Sequence, residues 1–185
     1  MVRLRALHGE ELALLGSAER GRLADITHPL RARQFAAARL LLRQILGEAL
    51  GRAPGTVPLR NTATGPALDG WHLSLSHSEE WVAAAYGRQA LGVDIEAQRP
   101  SAEAIGRLCS SQERAQLSPE HYVAVWTRKE ALAKALGRGV GPWLREWNVH
   151  SNTGGDWQWE TRSVGRAVCS VAGPRGRAVE WRFYE

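Results

Sequence analysis

Lysine is nearly missing from this sequence. Of 24 basic residues only Lys129 and Lys134 are lysines, and every other is arginine. An ammonium is a compact donor and a guanidinium a planar fork. Two lysines kept little more than a helical turn apart therefore hint at a place where the compact group matters. Cysteine is as scarce: Cys109 and Cys169 are too few for a disulfide framework and too far apart for a metal motif. They read as two buried thiols in a reducing compartment. No apolar run approaches a membrane span, and Arg3, Arg5, Glu10 and Glu11 interrupt any signal-peptide core. There is no linker rich in Pro or Ser, no low-complexity tract and no repeat. These absences exclude a disulfide-stapled scaffold, a membrane-spanning protein and a repeat array. They point to a soluble, cytoplasmic protein.

What is present fits one large domain or two small ones, since the chain has 185 residues. The net charge of +5 suggests an anionic partner: a nucleotide, a nucleic acid or an acidic protein. Val2 to Leu7 alternates as a short strand would, and residues 9–24 read as a weak helix. A stronger helix is expected from Pro29 to Leu50, with Pro29 at its first position and Gly51 just beyond its end. Phe35, Leu42, Ile45, Leu46 and Ala49 should supply much of its buried face. Arg31, Arg33, Arg39 and Arg43 form a basic stripe along it. Such a stripe is ordinarily a solvated face, but guanidinium forks also match phosphate oxygens.

From Val57 the period changes. Residues 61–66 read as a loop, and Asp69-Gly70 as a turn. Trp71 to Ser76 alternates strictly, with Trp71, Leu73 and Leu75 on one side. Val82–Tyr86 and Leu91–Glu96 complete a small antiparallel meander, with His77 in the connection after its first strand. Asp94 and Glu96 are two apart on a strand and leave the same face, while Ile95 points to the core. Two adjacent carboxylates repel unless a cation or proton sits between them. Oxygen ligands so disposed suit Mg²⁺, which completes its shell with water and phosphate oxygens. Beyond Pro100 the chain turns helical. Ser110 to Glu113 resembles a capping box, and Ser118-Pro119 opens a helix to about Leu136. Glu130 and Lys134 share one face of it, and by themselves would be an ordinary helix-supporting pair. Strands are expected at 143–149, 156–161 and 166–172, with an edge at 178–184. The eight tryptophans read as core anchors.

Three motifs then fall in order. Leu73-Ser74-Leu75-Ser76-His77-Ser78, Gly92-Val93-Asp94-Ile95-Glu96 and Trp126-Thr127-Arg128-Lys129-Glu130-Ala131-Leu132-Ala133-Lys134 resemble the 4'-phosphopantetheinyl transferases, more closely the single-chain type. The similarity spans roughly residues 30–140. It implies an α/β fold, α+β in its layering: a pseudo-twofold monomer of two similar α/β halves, 1–90 and 91–185. Coenzyme A and Mg²⁺ (or Mn²⁺) would lie in the cleft between them. An acidic acyl or peptidyl carrier protein would be the partner, with neither nucleic acid nor membrane involved. By the same resemblance Asp94 and Glu96 are metal ligands, and Glu130 is a third ligand or the general base. Lys134 binds phosphate, Ser76 and His77 contact the nucleotide's phosphates, and His77 joins Glu130 and Lys134 in the catalytic set. Arg39 matches an arginine of the coenzyme A-binding helix, with Arg33 and Arg43 beside it. A serine hydroxyl attacking the β-phosphate of coenzyme A concentrates charge on the pyrophosphate bridge, which a cation and a lysine stabilise while a carboxylate takes the proton. Two positions depart from the family pattern. Ser74 stands where Asn is frequent. Thr64-Gly65-Pro66 lacks the usual loop lysine, for which Arg60 is a substitute in position only.

Two rival classes use the same residues. A metal-dependent phosphodiesterase or nuclease would employ Asp94, Glu96 and Glu130, with His77 activating water. A noncatalytic nucleotide- or RNA-binding module would rest on the arginines and tryptophans, but no RNA-binding signature is present. The first predicts phosphodiester cleavage and the second salt-sensitive binding without turnover.

Overall fold

The protein, described from a computed structural model, is a mixed α/β fold; the structure covers all residues except Ala6, Thr64, Asn152 and Glu185. The backbone of its first part is the long helix α3 (Pro29–Leu50). Pro29 sits in the first turn, the His28 ring accepts from the Arg31 amide, and Gly51 ends the helix at φ +63°. Its buried stripe runs through Ala37, Ala38, Leu41, Leu42, Ile45 and Leu46. Ala49, expected in that stripe, is exposed. The small alanines instead let the helix settle on the sheet beneath, where it packs against Leu73, Leu75, Ala84 and Tyr86. Two short helices, α1 (Gly9–Ala13) and α2 (Ser17–Ala24), precede it.

That sheet is antiparallel, in the order β1 (Val2–Arg3), β5 (Trp81–Gly87), β4 (His72–Ser78). His77 lies inside β4 rather than in the connection that follows it. Residues 61–66, expected as a loop, contribute to a hairpin of β2 (Arg60–Thr62) and β3 (Gly65–Ala67); Thr64 itself lies outside the described residues. Arg60 is ion-paired with Asp69 on the surface.

The expected meander stops after β5. β6 (Gly92–Glu96) pairs with β9 (Ala167–Pro174) in a second, four-stranded antiparallel sheet, β6-β9-β8-β7, with β7 Thr153–Gly154 and β8 Trp157–Val164. The reason lies in β4. Its leucines face α3, and its serines face β6. The Oγ atoms of Ser74, Ser76 and Ser78 accept the amides of Val93 (3.0 Å), Ile95 (3.3 Å) and Ala97 (3.1 Å). Both strands advance by two residues per bond, so they run side by side in the same direction, joined by side chains instead of a backbone ladder.

One face of the second sheet carries α6 (Tyr122–Ala135), which follows a single 3-10 turn at Pro119–His121. Gly92 makes the close approach possible: a Cβ there would lie 2.1 Å from the Ala131 carbonyl oxygen. Leu132, Val125, Leu144, Val149 and Trp159 form the core on this side with α4 (Ala102–Leu108). Val93, Ile95 and Cys169 pack on the opposite face with Met1, Ala83 and Trp181. The tryptophans act largely as core anchors, Trp159 being fully buried. Residues 143–149 do not form a strand. A short 3-10 helix, Pro142–Glu146, stands there, because Lys129 Nζ takes the carbonyls of Leu144 (2.9 Å) and Trp147 (2.6 Å). Residues 178–184 contribute only a bridge from Tyr184 to Val2.

Lys129 is wholly buried, and its third partner is Glu113 at 2.8 Å. One of the two retained lysines is thus a tie within the core. Glu113 belongs to α5 (Ser111–Ala115), and the capping box expected there is half made. Ser110 Oγ accepts the Glu113 amide (3.1 Å), but the carboxylate turns inward to Lys129 and to the Val149 amide (3.2 Å). Among the described residues no helix is long and apolar enough to cross a membrane.

Candidate active site

The site lies where the β4–β6 seam meets the start of α3 and the inner face of α6. His77, near the end of β4, receives Arg31 Nη1 at 2.7 Å on Nε2. Burial, reinforced by the Arg31 charge, holds its pKa below the ordinary value. A guanidinium can only donate, so Nε2 is the acceptor in this contact. One strand away, Asp94 Oδ1 accepts from Ser76 Oγ (2.7 Å) and from Lys134 Nζ (2.8 Å). Lys134 also donates to the Val93 carbonyl (3.0 Å). Burial raises the Asp94 pKa and the Lys134 charge opposes it. Glu96 Oε1 accepts from Ser78 and from the amides of Ala97 and Gln98, both at 2.8 Å. Glu130 is half-buried on α6. Burial first, then the negative charge of Asp94, push its carboxyl up to about 7, Lys134 pulling the other way and Glu96 adding to the rise. Three carboxylates thus feel one another across a common space that holds a single ammonium.

The structure brings together Ser76, His77, Asp94, Glu96, Glu130 and Lys134. It changes one pairing: Lys134 reaches across to Asp94 rather than along the helix to Glu130. An i,i+4 contact on a solvated face gains little, whereas Asp94 offers a buried carboxylate.

The arginines divide differently from the expectation. Arg43 is turned into the fold. It is 3% exposed, ion-paired with Glu19 at 2.7 Å, and donates to the carbonyls of Pro54 and Val57. Arg39 is buried too, stacked over Phe35 at 5.2 Å with Nη1 lacking a hydrogen-bond partner. Arg33 is exposed on α3. Arg31, which the sequence shows only as one member of a stripe, is the arginine that reaches His77. The signal that would have found it is tertiary, since nothing local says that the first turn of α3 ends over β4.

Comparison with known proteins bears directly on these motifs. Residues 90–172 match the model of the 4'-phosphopantetheinyl transferase superfamily. A 4'-phosphopantetheinyl transferase of Bacillus subtilis is 26% identical over 156 residues, covering 76% of this chain and 70% of the relative. The 4'-phosphopantetheinyl transferase HetI of a Nostoc species is 33% identical over 147 residues, covering 69% and 62%. Through the segment that carries its acidic motifs the chain is similar to the 4'-phosphopantetheinyl transferase superfamily. The 4'-phosphopantetheinyl transferase Sfp of Bacillus subtilis is 31% identical over 98 residues, covering 49% of the chain and 44% of the relative. The chain therefore spans between 44% and 70% of these superfamily members. The matched segment contains Asp94, Glu96, Glu130 and Lys134, while His77 and Arg31 lie before it.

A divalent ion is compatible with this site on the chemistry of its donors. Among the described residues no three His, Cys, Asp or Glu side chains converge tightly enough to cage a metal. Mg²⁺ rarely asks for such a cage; it is commonly held by one or two carboxylates together with substrate phosphates. Asp94 and Glu96 supply hard oxygens, and the mutual repulsion felt at Glu130 is the charge excess that a cation would neutralise.

Proposed function

We propose that the chain transfers the 4'-phosphopantetheine moiety of coenzyme A to a serine of an acyl or peptidyl carrier protein, converting it from apo to holo form. Adenosine 3',5'-bisphosphate is released. The observation that carries this reading is the gathering of Asp94, Glu96, Glu130 and Lys134 about one space, with Arg31 and His77 beside it. A carboxylate placed there can take the proton of an attacking hydroxyl. The carrier's serine oxygen bonds to the β-phosphorus of coenzyme A, Glu130 accepts the hydroxyl proton, and the bond from that phosphorus to the bridging oxygen breaks. Lys134 stabilises charge on the pyrophosphate, and Arg31 with His77 binds the nucleotide's phosphates. Asp94 and Glu96 would hold Mg²⁺ or Mn²⁺, which acts as a Lewis acid when bound. Residues 1–90 and 91–185 would each furnish one wall of the site. The net charge of +5 suits an acidic carrier, and the working unit in this reading is a cytoplasmic monomer.

The test is incubation of the full chain with coenzyme A, Mg²⁺ and an apo carrier protein, read by intact mass. Gain of one phosphopantetheine on the carrier supports the reading. Hydrolysis of phosphodiesters without carrier modification would replace it with a phosphodiesterase, and binding of a short RNA without turnover with a nucleotide-binding module.

A further inference from the structure

Ser74, Ser76 and Ser78 make the same bond to β6 but use their protons differently. A hydroxyl has one proton to donate and can accept in addition. Each of the three accepts a β6-side amide, at 3.0, 3.3 and 3.1 Å. The Ser76 proton goes to Asp94 Oδ1 at 2.7 Å, and the Ser78 proton goes to Glu96 Oε1. At the equivalent place beside Ser74 stands Gly92, which has no side chain to receive one. The arrangement thus repeats two residues on with a carboxylate each time, and lapses where the carboxylate is missing.

The consequence for the carboxylates is rotational. Glu96 Oε1 collects Ser78 and the amides of Ala97 and Gln98, and Asp94 Oδ1 collects Ser76 and Lys134. In each residue one oxygen is engaged within the fold while Oε2 or Oδ2 stays outside these bonds. We infer that Ser76 and Ser78 are positioning residues that lock the Asp94 and Glu96 carboxylates so that one oxygen of each is presented to a divalent cation. Ser76, only 8% exposed, then acts through Asp94. This rests on the proposed function for the identity of the ligand. Hydrogen-bond partners of metal-ligating groups orient those groups, and their loss typically costs about 10–100-fold in metal affinity or activity.

Ser74 supplies the control, because it ties the same seam without serving a carboxylate. The full chain is titrated with Mn²⁺ in the presence of coenzyme A and no carrier, with free Mn²⁺ counted by electron paramagnetic resonance. Ser78→Ala is expected to weaken Mn²⁺ binding about 10-fold or more. Ser74→Ala should leave it unchanged, and Ser78→Thr, which keeps the hydroxyl, should restore it. Should Ser78→Ala fail to fold, Ser78→Cys keeps the volume with a far weaker donor and is expected to show the same loss. Equal shifts for the Ser74 and Ser78 variants, or no shift in either, would overturn the inference. Wild type is assayed for transfer in parallel. If it modifies the carrier while the Ser78 variants bind Mn²⁺ normally, the positioning role alone is lost; if it neither transfers nor binds Mn²⁺, the proposed function goes too.

Discussion

Glu130→Gln isolates one charge. In the folded chain without metal the Glu130 pKa is about 7 against an ordinary 4.5. A carboxyl raised in this way makes the native state hold a proton that the unfolded state has released. Its contribution to stability is therefore present below pH 4.5, declines as pH rises through that interval, and is lost above about 7. At about 1.4 kcal/mol per pH unit the interval corresponds to about 3 kcal/mol, and solvent at this half-buried side chain reduces it to about 2 kcal/mol. Glutamine has the shape without the charge. In EDTA, Glu130→Gln should match wild type closely at pH 5 and exceed it by about 2 kcal/mol at pH 8, or about 4–8 °C in melting temperature. Urea unfolding at the two pH values reads the difference. At the same time transfer should fall at least about 100-fold, since no carboxylate remains to take the serine proton. A stability difference that is the same at pH 5 and pH 8 would refute the assigned environment of Glu130, whatever happened to activity.

Other substitutions test the rest of the scaffold. Asp94→Ala should abolish transfer and also cost about 1–3 kcal/mol, because Lys134 loses a buried partner; an undiminished urea midpoint would contradict the pairing. Lys134→Arg should lower kcat with little change in fold, the planar fork being unable to serve both the Val93 carbonyl and Asp94, and wild-type turnover would show that a compact ammonium is not needed. Lys129→Met should destabilise by about 3–5 kcal/mol, since Glu113 is left charged and buried, and a thermal melt within a degree of wild type would rule that out. Gly92→Ala forces a methyl against the α6 backbone and should cost about 3 kcal/mol or more, checked by the same urea titration.

The sequence was most legible where local chemistry decides the outcome. Pro29, Gly51 and the apolar repeat between them specify α3 without outside help, and the three motifs bring the acidic and basic groups of the site into one list. What could not be read locally depends on partners far along the chain. β6 alternates equally well as a third strand of a meander or as an edge of another sheet, and only the serines of β4 decide. Arg39 and Arg43 look alike on a helix stripe until Glu19 arrives to bury one of them and Phe35 covers the other. Lys129 and Lys134 have the same composition signal, yet one closes the core and the other faces the site. Residues 143–149 have the apolar letters of a strand, and a buried ammonium captures the carbonyls that a ladder would have used.

The hydroxyl seam gives β6 two unlike edges, and this has a dynamic consequence. The amides of Val93, Ile95 and Ala97 are capped by rotatable side chains, whereas the alternate amides of the strand face the backbone ladder of β9. Releasing the first set needs three hydroxyls, and at Ala97 also the Glu96 carboxylate, to turn and the two layers to part slightly. Freeing the second requires the sheet itself to come apart. Hydrogen exchange along five consecutive residues should therefore run on two clocks, fast and slow in strict alternation. A molecule that grips both Arg31 on one layer and Lys134 on the other would slow the fast clock and leave the slow one untouched.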